Sequence, residues 1–258
     1  NIMNLVSGLE TYRTRLEDMA GAHKAAELLE PLEDVARITS SLQDMVLKIR
    51  MQPIDLVFKR FPRMVRDLSQ ELGKEINLII QGENTELDRT VVSELGEPLV
   101  HLIRNAVGHG IESREERIRL GKDPAGTVHM MAYQEGNKAV IRITDDGKGI
   151  DPEKIRQVAE RKGIDTADLS RDDLIRLIFA NGFSTNDEVN SVSGRGVGMD
   201  VVKQKINQLG GTIELNSEVG QGTEFIIKLP LTLSIIQALL VNVGSETFAI
   251  SLSFIEKV

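Results

Sequence analysis

The first fifty residues carry apolar side chains at helical spacing. Leu5, Leu9, Tyr12 and Leu16 recur every three or four positions, and Met19 follows. Gly21-Ala22-His23-Lys24 interrupts the pattern. Leu28, Leu29, Leu32, Val35, Ile38, Leu42, Met45, Val46 and Ile49 then make a longer stripe. Two helices with a short break predict an all-α helical hairpin over residues 1–50. A hairpin has one apolar face and little of its own to bury it against. That predicts a second copy, hence a homodimer joined by a four-helix bundle. The alternative is that the hairpin packs on the chain's own globular part.

From Met51 the texture changes. Residues 53–72 read as an amphipathic helix, 77–80 as a strand and 90–107 as a second helix. Residues 128–133 and 139–144 read as strands joined at Glu135-Gly136-Asn137. Residues 151–161, 174–179 and 198–209 read as helices, the last stopped by Gly210-Gly211. Residues 212–215 and 224–229 read as strands around Gly220-Gln221-Gly222. The order predicts an α/β sandwich, one mixed sheet with helices on one face, over residues 51–230. The stretch 182–198 is rich in Gly, Ser and Asn and too long for a plain connector, so it predicts a functional loop. After Pro230, strand-like runs at 238–243 and 248–252 flank Gly244-Ser245-Glu246. Residues 231–258 thus read as the opening of a small β domain. They are fewer than the roughly 40 needed for independent folding, so the domain is expected to be truncated at residue 258.

Composition narrows the classes. An apolar share of 41% and a charged share of 27% suit a globular protein. No apolar run approaches the roughly 20 residues that span a bilayer, and no signal-peptide pattern opens the chain. The expectation is a cytoplasmic protein with no direct membrane insertion. Cysteine is absent, which excludes disulfides and thiolate metal sites. A net charge of -8 argues against nucleic acid as a partner, and aromatics at 3%, without Trp, leave few base-stacking platforms.

Three separated pieces carry candidate chemistry. His101 and Asn105 are four residues apart, so on a helix they share one face. An Asn oxygen is a fair ligand for Mg²⁺, and a His one turn away can contact a terminal phosphate or act as a base. A polar helix face explains the same residues. Asp145-Asp146-Gly147-Lys148-Gly149 offers a carboxylate that can accept from the exocyclic amine of adenine, beside glycines that allow close backbone approach. An acidic turn after a strand is the bland reading. Lys154 lies in the first turn of the next helix, against the dipole preference, which slightly raises the case for a phosphate role, although a solvated lysine is the commoner explanation. Gly194-Arg195-Gly196-Val197-Gly198-Met199-Asp200 runs straight into a helix, and N–H groups there bind phosphate. The loop that begins at Phe183-Ser184-Thr185 is expected to act as a nucleotide lid. Gly222-Thr223 ends the set.

In this order the motifs resemble the chemotaxis histidine kinases of the CheA type, over nearly the whole chain. The pieces are His101-x-x-x-Asn105, Asp145-x-Gly147-x-Gly149, Gly182-Phe183-Ser184-Thr185, the 194–202 run and Gly220-x-Gly222-Thr223. The resemblance implies a dimerisation hairpin, an ATP-binding kinase domain of the GHKL ATPase type and the start of an SH3-like domain related to the adaptor CheW. It implies ATP and Mg²⁺ as cofactors, with Asn105 as metal ligand and His101, His109 and Lys154 near the terminal phosphate. Asp145 would read adenine. Gly147, Gly149, Gly194, Gly196 and Gly198 match the glycine boxes, and Ile150, Ser184, Arg195, Met199 and Thr223 complete the expected nucleotide contacts. Implied partners are a separate His phosphotransfer domain, a CheW-like adaptor, chemoreceptors and, indirectly, response regulators.

One position departs from the pattern. Gly108 stands where the family has Asp, which predicts retained nucleotide binding with reduced turnover; a glycine inside a helix also costs about 1 kcal/mol against Ala. The four histidines are His23, His101, His109 and His129. None lies in a phosphoacceptor helix pattern, so phosphotransfer is expected in trans. Two other readings stay open. One is an ATPase of the gyrase and MutL type, which carries Glu where His101 stands. The other is an impaired nucleotide-binding scaffold of a receptor array.

Overall fold

The computed structural model describes residues 8–9, 16, 29–180, 182–183, 198–231, 238–243 and 246–251. The first helix of the expected hairpin, most of it, and the bulk of the 182–198 loop lie outside the described residues. The chain divides into two compact units, residues 1–52 and 53–258.

In the first unit, helix α1 spans Leu29–Arg50. Lys48 and Arg50 close it, the sign its C-terminal dipole favours. The stripe Val35, Ile38, Leu42, Met45 and Ile49 is 40 to 82% exposed.

The second unit is built on a five-stranded sheet. Its strands are β1 (Ile76–Gln81), β2 (Gly126–Glu135), β3 (Lys138–Asp145), β4 (Thr212–Glu218) and β5 (Gly222–Pro230). The spatial order is β1-β2-β3-β5-β4, with β1 parallel to β2 and the other pairs antiparallel. Alternation along β2 sends Val128, Met130 and Ala132 into the core, while His129 and Met131 stay half-buried on the other face. The helices on the buried face are α2 (Asp55–Phe58), α3 (Phe61–Leu72), α4 (Arg89–Asn105) and α8 (Met199–Gln208). Leu95, Leu99, Leu102 and Ile103 of α4 join Met130, Ile141, Phe225 and Ile227 of the sheet in one core. Helices α5 (Arg114–Arg119), α6 (Pro152–Arg161) and α7 (Arg171–Arg176) complete the unit. Ile155, Val158 and Ala159 of α6 pack with Leu174 and Phe183 in a second, smaller cluster.

Two expectations need correction. The helix predicted over 53–72 is two helices, α2 and α3. A continuous helix would push the Pro62 ring into the carbonyl of Phe58. The break lets Phe58 and Phe61, both fully buried, meet edge to face at 6.3 Å. The helix predicted over 90–107 ends as α-helix at Asn105. Residues Ala106–Gly110 widen into a π turn, and the Ile111 N–H donates to the Ala106 carbonyl at 2.8 Å. Gly108 therefore lies in this turn and not inside an α-helix. A Cβ there would meet nothing within 4 Å.

Strands β6 (Ala238–Val243) and β7 (Glu246–Ser251) pair antiparallel as a separate ribbon. Among the described residues, no helix is long and apolar enough to cross a membrane.

Candidate nucleotide site

Asp145 ends β3, where the pairing with β5 sets it opposite Thr223. It is only 4% exposed. Its Oδ1 accepts the Gly147 N–H at 3.0 Å, and the Thr223 backbone N–H also donates to it. Among the described residues, no cation pairs with this carboxylate. Burial is the main cause that pushes its pKa up to about 6, and the Asp146 and Glu112 charges add to it, against the two N–H donors. A buried carboxylate left without a cation is costly, and such groups concentrate at binding sites.

The glycines around Asp145 are required by loop-on-loop packing. A Cβ on Gly147 would lie 2.2 Å from the Gly110 carbonyl oxygen, and one on Gly222 would lie 1.9 Å from the Asp145 carbonyl oxygen. Gly110 faces the Asp145 carboxylate, where a Cβ would stand 3.1 Å from its Cγ. Gly149 has φ +70, and its Cβ would meet the Glu218 carbonyl. The Lys148 N–H donates to Gly110 at 3.0 Å, and the Ile150 N–H donates to Ser217 Oγ at 2.8 Å. Backbone of Gly110, Gly147 and Gly222–Thr223 thus packs closely around Asp145. A buried carboxylate acceptor suits a ligand that brings an exocyclic donor.

A second group of residues gathers at the C-terminal end of α4. His101 and Asn105 lie on its last turn and His109 follows in the π turn. Lys74 holds that turn from behind, its Nζ donating to the carbonyls of Val107, Gly108 and Ile111 at 2.7 to 2.8 Å. Burial pushes the His101 pKa below its ordinary value, with help from Arg104 and His109 and against the pull of Asp200. Partial desolvation of its inner face, then Lys148 and Lys74, also lowers that of His109, although the side chain is exposed overall. Both shifts favour the neutral imidazole. The Asn105 Nδ2 donates to Met199 Sδ at 3.3 Å, which leaves Oδ1 as the free coordinating atom. One hard oxygen suits Mg²⁺, which takes its remaining ligands from phosphate and water. No cluster of three or more His, Asp or Glu occurs among the described residues to hold a metal alone.

The sequence-predicted residues divide accordingly. Asp145, Gly147, Gly149, Ile150 and Thr223 come together at the base end, and His101, Asn105, His109 and Met199 at the other. Gly198 is the N-cap of α8, where the Val201 N–H donates to the Asp200 carboxylate at 2.9 Å. Lys154 lies exposed on α6, and among the described residues no hydrogen bond or ion pair ties it to the others. Ser184, Gly194, Arg195 and Gly196 lie outside the described residues. Sequence reasoning assigned no role to Gly110 or Lys74. Gly110 was legible as a glycine beside a motif and Gly222 as part of one, but what they touch was not. Lys74 acts across more than thirty residues of chain and left no local signal.

Residues 94–233 match the family described as histidine kinase-, DNA gyrase B-, and HSP90-like ATPase. The chain is 51% identical over 265 residues to the sensor histidine kinase CheAY of Helicobacter pylori, an alignment that covers 98% of this chain and 33% of that protein. It is 48% identical over 259 residues to the chemotaxis protein CheA of Bacillus subtilis, covering 99% of this chain and 38% of the relative. With the CheA of Borreliella burgdorferi it shares 53% identity over 221 residues, 85% of this chain and 26% of the other. The chain thus spans roughly a third of the length of these relatives. It belongs to the family of histidine kinase-, DNA gyrase B- and HSP90-like ATPases, and its relatives there are chemotaxis CheA proteins.

Proposed function

We propose that this chain is the ATP-dependent protein-histidine kinase core of a chemotaxis two-component system, acting as a dimer on a histidine carried by a separate phosphotransfer domain. The observation that carries the reading is Asp145: a buried carboxylate without a cation, set in a cradle of glycine backbone. It accepts the exocyclic amine of adenine and repels the carbonyl that guanine has at that place. Asn105 presents Oδ1 for Mg²⁺, its amide turned by Met199. Bound Mg²⁺ would neutralise phosphate charge as the terminal phosphoryl leaves. His101, neutral and half-buried, accepts a hydrogen bond or a proton from the incoming imidazole. His109 and Lys148 flank the turn that joins the two ends. Lys154, Ser184, Gly194, Arg195, Gly196 and Gly198 are assigned to the phosphates by resemblance to the family motifs.

The dimer reading is supported by the exposed stripe of α1, whose members alternate three and four residues apart as in a helix seam. Residues 231–258 are proposed to open the SH3-like domain through which a CheW-like adaptor and chemoreceptors are engaged, in the cytoplasm. The decisive experiment mixes the chain with a separate phosphotransfer domain and labelled ATP. Label on the acceptor histidine is the expected outcome. ATP binding with no transfer, by this chain and by Gly108→Asp alike, would replace the kinase with the scaffold reading that Gly108 suggests. Leu42→Glu should turn the dimer into a monomer by sedimentation, because the new charge would be buried unpaired.

A further inference from the structure

Beside Asp145 lies a charge network, centred on the buried Arg117 and Glu112, that the proposed chemistry does not use. Arg117 of α5 is 1% exposed. Its Nη1 donates to Glu112 Oε2 at 3.0 Å and to Asp146 Oδ1 at 3.2 Å, and its Nη2 to Asp146 Oδ2 at 2.9 Å. Its Nε donates to the Asp123 carbonyl at 2.6 Å. Lys122 donates to Glu112 Oε1 at 2.8 Å and to the carbonyls of Asp146 and Gly147 at 2.9 and 2.7 Å. The Thr127 N–H closes the set on Asp146 Oδ1 at 2.8 Å.

A buried ion network is weak evidence for stability, since well-packed apolar side chains often serve as well. Its geometry is directed instead. Every bond to Asp146 and Gly147 fixes the two residues that follow Asp145. Asp146 takes both Nη atoms of Arg117, and its neighbour Asp145 takes no cation among the described residues. One carboxylate anchors the turn so that the next stays a free acceptor.

We infer that Arg117 and Lys122, acting through Glu112 and Asp146, are positioning residues that set base specificity by holding the Asp145–Gly147 turn against the nucleotide. This rests on the proposed nucleotide reading. Small displacements of a reading group cost recognition steeply, and they should do so at the base without touching phosphate contacts made elsewhere.

The test measures binding of ADP, GDP and inorganic tripolyphosphate, each with Mg²⁺, by calorimetry on the whole chain. Lys122→Met is preferred because this side chain is 19% exposed, so its loss leaves less charge stranded than loss of Arg117. The preference for ADP over GDP should fall about tenfold, the worth of one charge-assisted hydrogen bond. Tripolyphosphate affinity should stay within about twofold, the scatter expected when no contact is lost. Lys122→Arg should restore most of the preference, and Lys122→Gln should lose part of it. An unchanged ADP-to-GDP ratio in Lys122→Met overturns the inference. So does a loss shared equally by all three ligands, which would mean general loosening. Equal binding of ADP and GDP by the unsubstituted chain would overturn the base-site reading itself.

Discussion

The two ends of the candidate site are built on opposite principles. At the Asp145 end, this carboxylate is 4% exposed, backbone of Gly110, Gly147 and Gly222 packs against it, and an ion network centred on Arg117 backs the turn. At the other end, His109 is exposed, His101 and Asn105 are half-buried, and a thioether and one lysine do the positioning. Base recognition needs a desolvated, immobile acceptor, because its energy comes from excluding water and the wrong base. On the proposed function, transfer to a histidine on another domain needs an approach route, which an open end provides. The contrast is between a site that stores cost in advance and one that waits for its reactants.

The sharpest way to break this contrast is Asn105→Ala. Phosphoryl transfer should fall about a thousandfold, the scale of losing one preorganised electrostatic group at the reacting centre. ADP binding without Mg²⁺ should barely change. If rapid-quench kinetics and calorimetry show both falling together, the two ends are not separable.

Asp145→Asn attacks the other end and should weaken ATP about a hundredfold by calorimetry. It should also raise the melting temperature of the nucleotide-free chain at pH 7.5. The sign follows from the raised pKa. A carboxylate pushed up to about 6 binds its proton more tightly when folded, so its charge costs stability above that pH. The cost fades as pH falls from about 6 toward the ordinary carboxylate value. A variant that melts lower and binds ATP unchanged would make Asp145 a turn residue only.

The same titration predicts a pH profile. Protonated Asp145 is a weaker acceptor, and its added O–H donor opposes the adenine amine, so ATP affinity should drop about tenfold between pH 7 and pH 5. Tripolyphosphate affinity measured alongside should not show that step. An identical profile for both ligands would trace the loss to the imidazole end.

The smallest effect concerns Gly108. A Cβ meets nothing within 4 Å, so Gly108→Asp should shift folding stability by no more than about 0.5 kcal/mol in urea melts. Its transfer rate should nevertheless rise toward that of an aspartate-bearing relative. A large stability change would show that the π turn depends on glycine for its backbone.

Read as a pattern of apolar and polar positions, the chain alone determined the helical stripe of α1, the mixed sheet with helices on one face and the strands β2, β3 and β5 to within a few residues. It also put Asp145 at a strand end and His101 and Asn105 on one helix, because short motifs fall on element ends that periodicity locates. These are local properties, legible within one turn or one strand. What only the tertiary structure decided has no such local trace. The break between α2 and α3 depends on where Phe58 and Phe61 find the core. The π turn depends on Lys74, and the cradle depends on Gly110 and Gly222 meeting β3 from distant parts of the chain. Arg117 reads in sequence as one more charge on a short helix. Its burial, and its choice of Asp146 over Asp145, arise only when the loop after α4 folds back on the end of β3, where desolvation makes an unpaired guanidinium too costly to leave.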